Sequence, residues 1–498
     1  MAALSPHPGR QITVDHLLAR PGHADAAGRF CITAEENRIL AITPAASGNA
    51  GAGWLAMPAL CNAHDHGRGL RSLAVGAADE ALELWMPAQS AEPVVDPYLR
   101  AAVAFARMAE SGICATNHCH NTQAASRLLQ EAEGVARAAK DVGIRVAFAI
   151  PFFDRNRFVY GDIGPLLHAL PPADAARARQ QAMLAPAAER FALVDEIAAL
   201  QNPWFSIQYG PVGPQWVTDA TLRRIAEDSA RTGRRVHMHA FETRLQREWA
   251  DAAYPNGYFA YVDEIGLLSP RLTLAHAVWL TQPEAELLAQ RGVTVSLNAS
   301  SNLRLRSGVP PVALCLNAKL RFGIGLDGMA IDDDEDMLRE IRLLRHLANG
   351  ASPGLEGSGL TDAHLFDAAL AVGRHSILGA DGGGAIDVGA PADILVLDFA
   401  AMTSDCLAAE PDPLPVLLTR MARRHVQQLM VAGRMIVDGG TCRSVDLPAL
   451  QAELLAQARH VRAADGTDDA TRTRLRTAIR AYYGCVCRPA AMGATHGA

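Results

Sequence analysis

Between residues 59 and 326 the sequence switches eight times between a short apolar run and a longer stretch of helical period. The runs that read as strands are Ala59 to Ala63, Ile113 to His118, Arg145 to Phe152, Trp204 to Tyr209, Arg235 to His239, Leu272 to His276, Val293 to Asn298 and Leu320 to Leu326. Between them, stretches such as Tyr98 to Glu110, Ala124 to Lys140 and Thr218 to Thr232 are rich in Ala, Leu and Arg and carry helix caps. Strands separated by helices lie parallel, and eight such units close into a barrel. The expected fold is therefore α/β, a (β/α)8 TIM-like barrel. Asp154 to Pro203 exceeds one unit and predicts extra helix beside the third strand, as a wall or lid.

Both ends of the chain have a different texture. Phe30 to Ala46 alternates like short strands, LGADGGGAIDVGAPADILVLDF after Leu378 is a Gly-rich turn followed by a strand, and HVQQLMVAGRMIVDGG reads as a hairpin. These pieces predict a small β-sandwich domain from residues 1–57 and 378–445, around a barrel of residues 58–377. The tail, 446–498, is helical in pattern and caps the barrel or serves a subunit contact, which makes a homo-oligomer an open expectation.

The ends of these strands carry the chemistry. His64 and His66 in NAHDH, His239 in HMHAFET, His276 in LAHAV and Asp327 in GLDG each finish an apolar run, where a barrel assembles its active site. His-x-His places two imidazoles on one face of a strand, because side chains alternate with period two. Neutral imidazoles with one carboxylate suit one divalent ion, zinc or iron, with room for a water. The competing reading is a set of core histidines with satisfied hydrogen bonds.

Composition narrows the partners. The net charge is −7, from 46 basic and 53 acidic residues without a basic block, which argues against nucleic acid. No run reaches the ~18 apolar residues a membrane span needs, and the first residues lack a signal-like core. Nine cysteines have no framework spacing and read as reduced thiols in a cytoplasmic protein, with Cys485 and Cys487 an incidental pair.

The ordered runs MPALCNAHDHGRG, HMHAFET, RLTLAHAVWL, SLNASSNLRLRSG, GIGLDG and VGAPADILVLD resemble the amidohydrolase superfamily, in its mononuclear branch with cytosine deaminase and the triazine hydrolases. The resemblance implies metal ligands His64, His66, His239 and Asp327, with His276 on the attacking water or the substrate and Glu242 as the acid of a His-x-x-Glu pattern. His237 shares the parity of His239 but lacks that glutamate, and falls behind the ligands or toward the substrate. Binuclear relatives carry a carboxylated lysine on the fourth strand; here the only lysines are Lys140 and Lys319, which implies a single metal.

The implied reaction is hydrolytic deamination of a small-molecule nitrogen heterocycle, releasing ammonia. Alternatives are displacement of chloride, sulfide or an alkylamine, opening of a cyclic amide, or a non-catalytic scaffold. Candidate substrate-facing residues are Gln208, His118, His120, Trp85, Trp216, Arg304 and Arg306, each with a plain structural reading beside it. The acidic run IDDDEDM reads as a helix N-terminus, and GADGGG as a turn.

Overall fold

The computed structural model describes residues 10–46, 51, 53–182, 186–465 and 469–484, which form two sheets of eight strands each. In chain order the strands are β1 (Arg10–Arg20), β2 (Ala24–Glu35), β3 (Arg38–Pro44), β4 (Trp54–Pro58), β5 (Leu60–Asp65), β6 (Ile113–Cys119), β7 (Arg145–Phe152), β8 (Phe205–Pro211), β9 (Val236–Ala240), β10 (Leu272–His276), β11 (Thr294–Leu297), β12 (Arg321–Ile324), β13 (Ile394–Asp398), β14 (Val426–Val431), β15 (Arg434–Asp438) and β16 (Thr441–Cys442). The eight runs read from sequence are β5 to β12, all parallel and in sequential order, with helices between them.

The barrel closes between β12 and β5 because small residues meet there. A Cβ on Gly323 would stand 2.7 Å from that of Ala63, so only glycine lets the strands approach. The seam is stitched by the Asp327 N–H to the His64 carbonyl at 2.9 Å and the Leu326 N–H to Asn62 Oδ1 at 3.0 Å. Helices start on polar caps: Asp96 accepts from the Leu99 N–H at 3.0 Å before Pro97–Glu110, and Thr218 caps Asp219–Thr232.

The second sheet joins both chain ends in the order β16-β15-β14-β13-β4-β1-β2-β3 and is antiparallel except for β1 beside β4. It is one continuous sheet with a small core of its own. Ile12, Val14, Ile32 and Ile39 from one end pack with Ile394, Val396 and Met430 from the other.

The insertion after β7 carries helices Gly164–His168, Pro172–Ala182 and Ala187–Ala198, as its length predicts. The tail forms helices Leu447–Asp465 and Asp469–Gly484. Cys485 and Cys487 lie outside the described residues. Among the described residues no helix is long and apolar enough to cross a membrane. The acidic run folds into a helix start: Asp336 caps Met337–Ala351, Asp332 and Asp334 pair with Arg339, and Asp333 pairs with Arg304.

Candidate metal and catalytic site

β5, β9, β10 and the turn after β12 bring His64, His66, His239, His276 and Asp327 together at the C-terminal mouth. The His64 and His66 Nε2 atoms lie 3.1 and 3.0 Å from Asp327 Oδ1, and His239 Nε2 lies 3.4 Å from His66 Nε2. His276 Nε2 is 3.9 Å from Asp327 Oδ2. One potential ligand atom each from His64, His239, His276 and Asp327 lies within 4.8 Å of the others. His276 and Asp327 take left-handed backbone angles, φ 71° and 60°, which non-glycine residues adopt where the surroundings enforce them.

Each imidazole is aimed from behind. His66 Nδ1–H donates to the Cys119 carbonyl at 2.8 Å, His239 Nδ1–H to the Val212 carbonyl at 2.7 Å, and His276 Nδ1–H to Asn302 Oδ1 at 2.9 Å. His64 Nδ1 is 2.7 Å from His237 Nε2. With the protons on Nδ1, each Nε2 turns a lone pair toward the centre. Lone pairs 3 Å from a carboxylate oxygen repel unless a cation lies between them. Consistent with this, His64 Nε2, His276 Nε2 and Asp327 Oδ1 are buried without a hydrogen-bond partner. Ligands about 2.0–2.1 Å from zinc stand roughly 3 Å from one another, so the residues fit a bound metal.

The protonation states agree. Burial lowers the basicity of His64 and His239, and burial with the neighbouring Arg68 takes His66 down to about 3. Burial works against ionisation of Asp327, and His64 and His66 would draw its carboxyl well below the usual range only as proton-bearing donors; with both imidazoles neutral, that stabilisation falls to a cation at the centre. The Ser301 hydroxyl donates to Asp327 Oδ2.

Glu242 stands above this cluster. Its Oε2 is 3.8 Å from His276 Nε2, the Ser307 hydroxyl lies 3.2 Å from Oε1, and its N–H donates to Gln246 Oε1 at 2.8 Å. Burial, with Asp327 and Glu83 nearby, raises its carboxyl to about 7 against the pull of His276. At neutral pH such an acid can both donate and accept a proton.

Other residues expected to read the substrate stand elsewhere. His118 is paired in register with Asp65, so it shares that residue's face and not the face of His64 and His66. It lies outside the strand wall, where His118 Nε2–H donates to His120 Nδ1 at 3.1 Å and His120 Nε2–H donates to Glu131 Oε2 at 2.9 Å. Gln208 sits deeper in the barrel, its amide donating to Asn117 Oδ1 at 2.9 Å and the Ala147 carbonyl at 3.2 Å. His237 stands behind His64 and not at the mouth. Arg304 is held by Asp79, Asp333 and the Ala330 carbonyl, which leaves its guanidinium committed, and Arg306 is exposed.

Trp85 keeps a place near the mouth, packed with Leu82, Leu305 and Met329 under the Arg68 guanidinium, 5.1 Å from the ring centre. Trp216 is buried against Phe153 and Tyr160. Sequence reasoning missed Cys119, the inward residue at the end of β6, whose thiol lies within 4.8 Å of ligand atoms of His66 and His239 and is pushed up to about 12 by burial. It also missed Ser301 and Asn302. Their signal was their place in SLNASSN, just past a strand end.

The amidohydrolase family model matches residues 55–436. The 5'-deoxyadenosine deaminase of Methanothermobacter thermautotrophicus is 28% identical over 398 residues, 77% of this chain and 84% of that protein. The 5-methylthioadenosine/S-adenosylhomocysteine deaminase of Thermococcus sibiricus is 33% identical over 215 residues, 42% of this chain and 49% of its own. The chain spans about half the length of several such relatives. Among solved structures, an adenosine deaminase from Xanthomonas campestris with bound zinc superposes with a TM-score of 0.75 at 24% identity, over 91% of this chain and 98% of that one. An atrazine chlorohydrolase from Arthrobacter aurescens complexed with zinc gives 0.74 at 18% identity, over 90% and 99%. The chain belongs to the amidohydrolase family and is a hydrolase of carbon–nitrogen bonds.

Proposed function

We propose that the protein is a metal-dependent deaminase that replaces the amino group of a nitrogen heterocycle by hydroxyl and releases ammonia. The observation that carries this reading is Glu242: a buried carboxyl, raised to about 7, beside the imidazoles and carboxylate that could hold a metal. His64, His66, His239 and Asp327 would hold the ion, zinc first and iron second, since both accept three imidazoles and a carboxylate. When bound, the ion supplies a water that ionises near neutral pH.

The chain's own groups do the rest. Asp327 Oδ2, held by Ser301, takes the proton of the attacking water. His276, its tautomer set by Asn302, accepts a hydrogen bond from that water and orients it toward an sp² carbon bearing the amino group. Glu242 in its acid form protonates the adjacent ring nitrogen. A proton passed on through Glu242 then lets the amine leave as ammonia.

The names of the curated relatives make 6-aminopurine nucleosides the first class to assay. The reading carries with it a cytoplasmic setting in which the seven described cysteines stay thiols, and a division of the chain at residues 57, 377 and 445. The test is a panel of 5'-deoxyadenosine, adenosine, cytosine and amino- and chlorotriazines with metal-loaded protein, scored for ammonia and chloride. Ammonia formed in step with the hydroxylated ring is the expected result. Chloride without ammonia would move the reading to displacement of a different leaving group. Metal-loaded protein inert toward the whole panel would overturn deamination of these rings.

A further inference from the structure

The family match ends at residue 436, yet helix Asp469–Gly484 packs against helix Leu82–Gln89, the helix that carries Glu83. Its Ala478, Ile479 and Tyr482 pack against Phe158, Val159, Leu166 and Leu167 of the insertion after β7, with Leu84 of helix Leu82–Gln89 in the same cluster. Arg474 pairs with Asp174 of the insertion and Arg476 with Glu80 beside the other segment, so one helix ties the two together.

The last turn of this helix grips one residue. The Tyr160 N–H donates to the Tyr483 hydroxyl at 3.0 Å, and the Tyr482 hydroxyl donates to the Tyr160 carbonyl at 3.3 Å. Tyr160 is fully buried, and its own hydroxyl donates to Glu83 Oε1 at 3.1 Å. The Thr243 hydroxyl donates to the same oxygen at 2.6 Å, and Thr243 directly follows Glu242. A buried carboxylate stays where its donors hold it, because leaving it unpaired is costly. The line Tyr483, Tyr160, Glu83, Thr243 therefore runs without a gap from the last turn of helix Asp469–Gly484 to the turn that carries Glu242.

We propose that this helix is a wall of the catalytic pocket and that Tyr483 and Tyr160 are positioning residues, fixing through Glu83 and Thr243 where the Glu242 carboxyl stands. The inference rests on the reading of Glu242 as the proton carrier. Removing one hydroxyl while keeping the ring should let the turn drift without emptying the core. A misplacement near 1 Å costs about a hundred-fold in rate, so a fraction of that displacement should cost about ten-fold.

The test compares Tyr483→Phe and Tyr160→Phe alone and combined with Glu242→Gln, using ammonia release from 5'-deoxyadenosine, metal content, and amide exchange of the segment 241–246. We expect each Phe variant to lower kcat about ten-fold with KM within about two-fold and metal content unchanged, and to raise exchange over 241–246. In the Glu242→Gln background the Phe substitutions should have no further effect on kcat. Effects that multiply in that background, or exchange over 241–246 that stays at the wild-type rate, overturn the proposal. If Glu242→Gln alone leaves kcat intact, the reading of Glu242 fails instead, and the exchange result still judges the mechanical link.

Discussion

Two His-x-His pairs end neighbouring strands, His64 and His66 at the end of β5 and His118 and His120 at the end of β6, and the barrel wall separates them. The first pair faces inward, each ring held at Nδ1 and turning Nε2 toward Asp327. The second faces the helices Pro97–Glu110 and Leu128–Val142 and passes its hydrogen bonds in a line to Glu131. Gly67, next to His66, lies against the outer pair: a Cβ there would stand 2.5 Å from the His118 ring. Spacing is common to both pairs. What differs is the face of the strand, and with it whether the nitrogens run in a line to a carboxylate, with His118 Nδ1 alone unpartnered, or converge on one another around Asp327.

If that contrast is right, the largest effect belongs to the inner cluster. Asp327→Ala should lose bound metal and with it turnover, whereas Glu131→Gln should keep one metal per chain by elemental analysis. Equal metal loss in the two variants would erase the distinction.

Next in size, Glu242→Gln should keep its metal and lose about two to four orders of magnitude in turnover. The wild-type kcat/KM should fall as pH rises through about 7, since the acid form of Glu242 is then lost, and the Gln variant should lack that limb. A pH limb unchanged in the Gln variant would belong to another group.

A smaller effect is expected behind the ligands. His237→Leu removes the partner that orients His64 and should weaken metal affinity about 10- to 100-fold while the protein stays folded, as equilibrium chelator competition would show. Unaltered affinity would make His237 mere filling.

The smallest effect on catalysis, and a clear one on stability, belongs to the outer line. Burial would raise the Glu131 carboxyl, but donors from His120, Thr122 and the Ala124 amide hold it down at about 2. Its folded value lies below its unfolded one. Its contribution is therefore complete above about 4.5 and fades as pH falls toward 2. Acid unfolding followed by circular dichroism should show Glu131→Gln losing part of its stability advantage at neutral pH relative to pH 3. The same difference at both pH values would contradict an ionised Glu131.

Much of this was legible in the residues. Eight apolar runs separated by helical stretches are enough to demand parallel strands, and the clustered imidazoles and carboxylate stand at the ends of the runs that predicted them. Strand face was harder to read. In ICATNHC the inward residues are Asn117 and Cys119, and a one-residue difference in parity sends His118 to the other side. Arg304 and Gln208 looked free because their partners, Asp79 and Asn117, are distant in sequence. Glu83 and Tyr160 carry no local signal at all. Their contacts exist only where the insertion and the tail meet helix Leu82–Gln89 in the folded chain.

Anomalous diffraction from crystals of the zinc-loaded protein tests the central claim most directly. The account predicts one peak within about 2.0–2.2 Å of the His64, His66 and His239 Nε2 atoms and of Asp327, and none among His118, His120 and Glu131. A peak on the outer line, or an inner cluster that stays empty of metal, would contradict it.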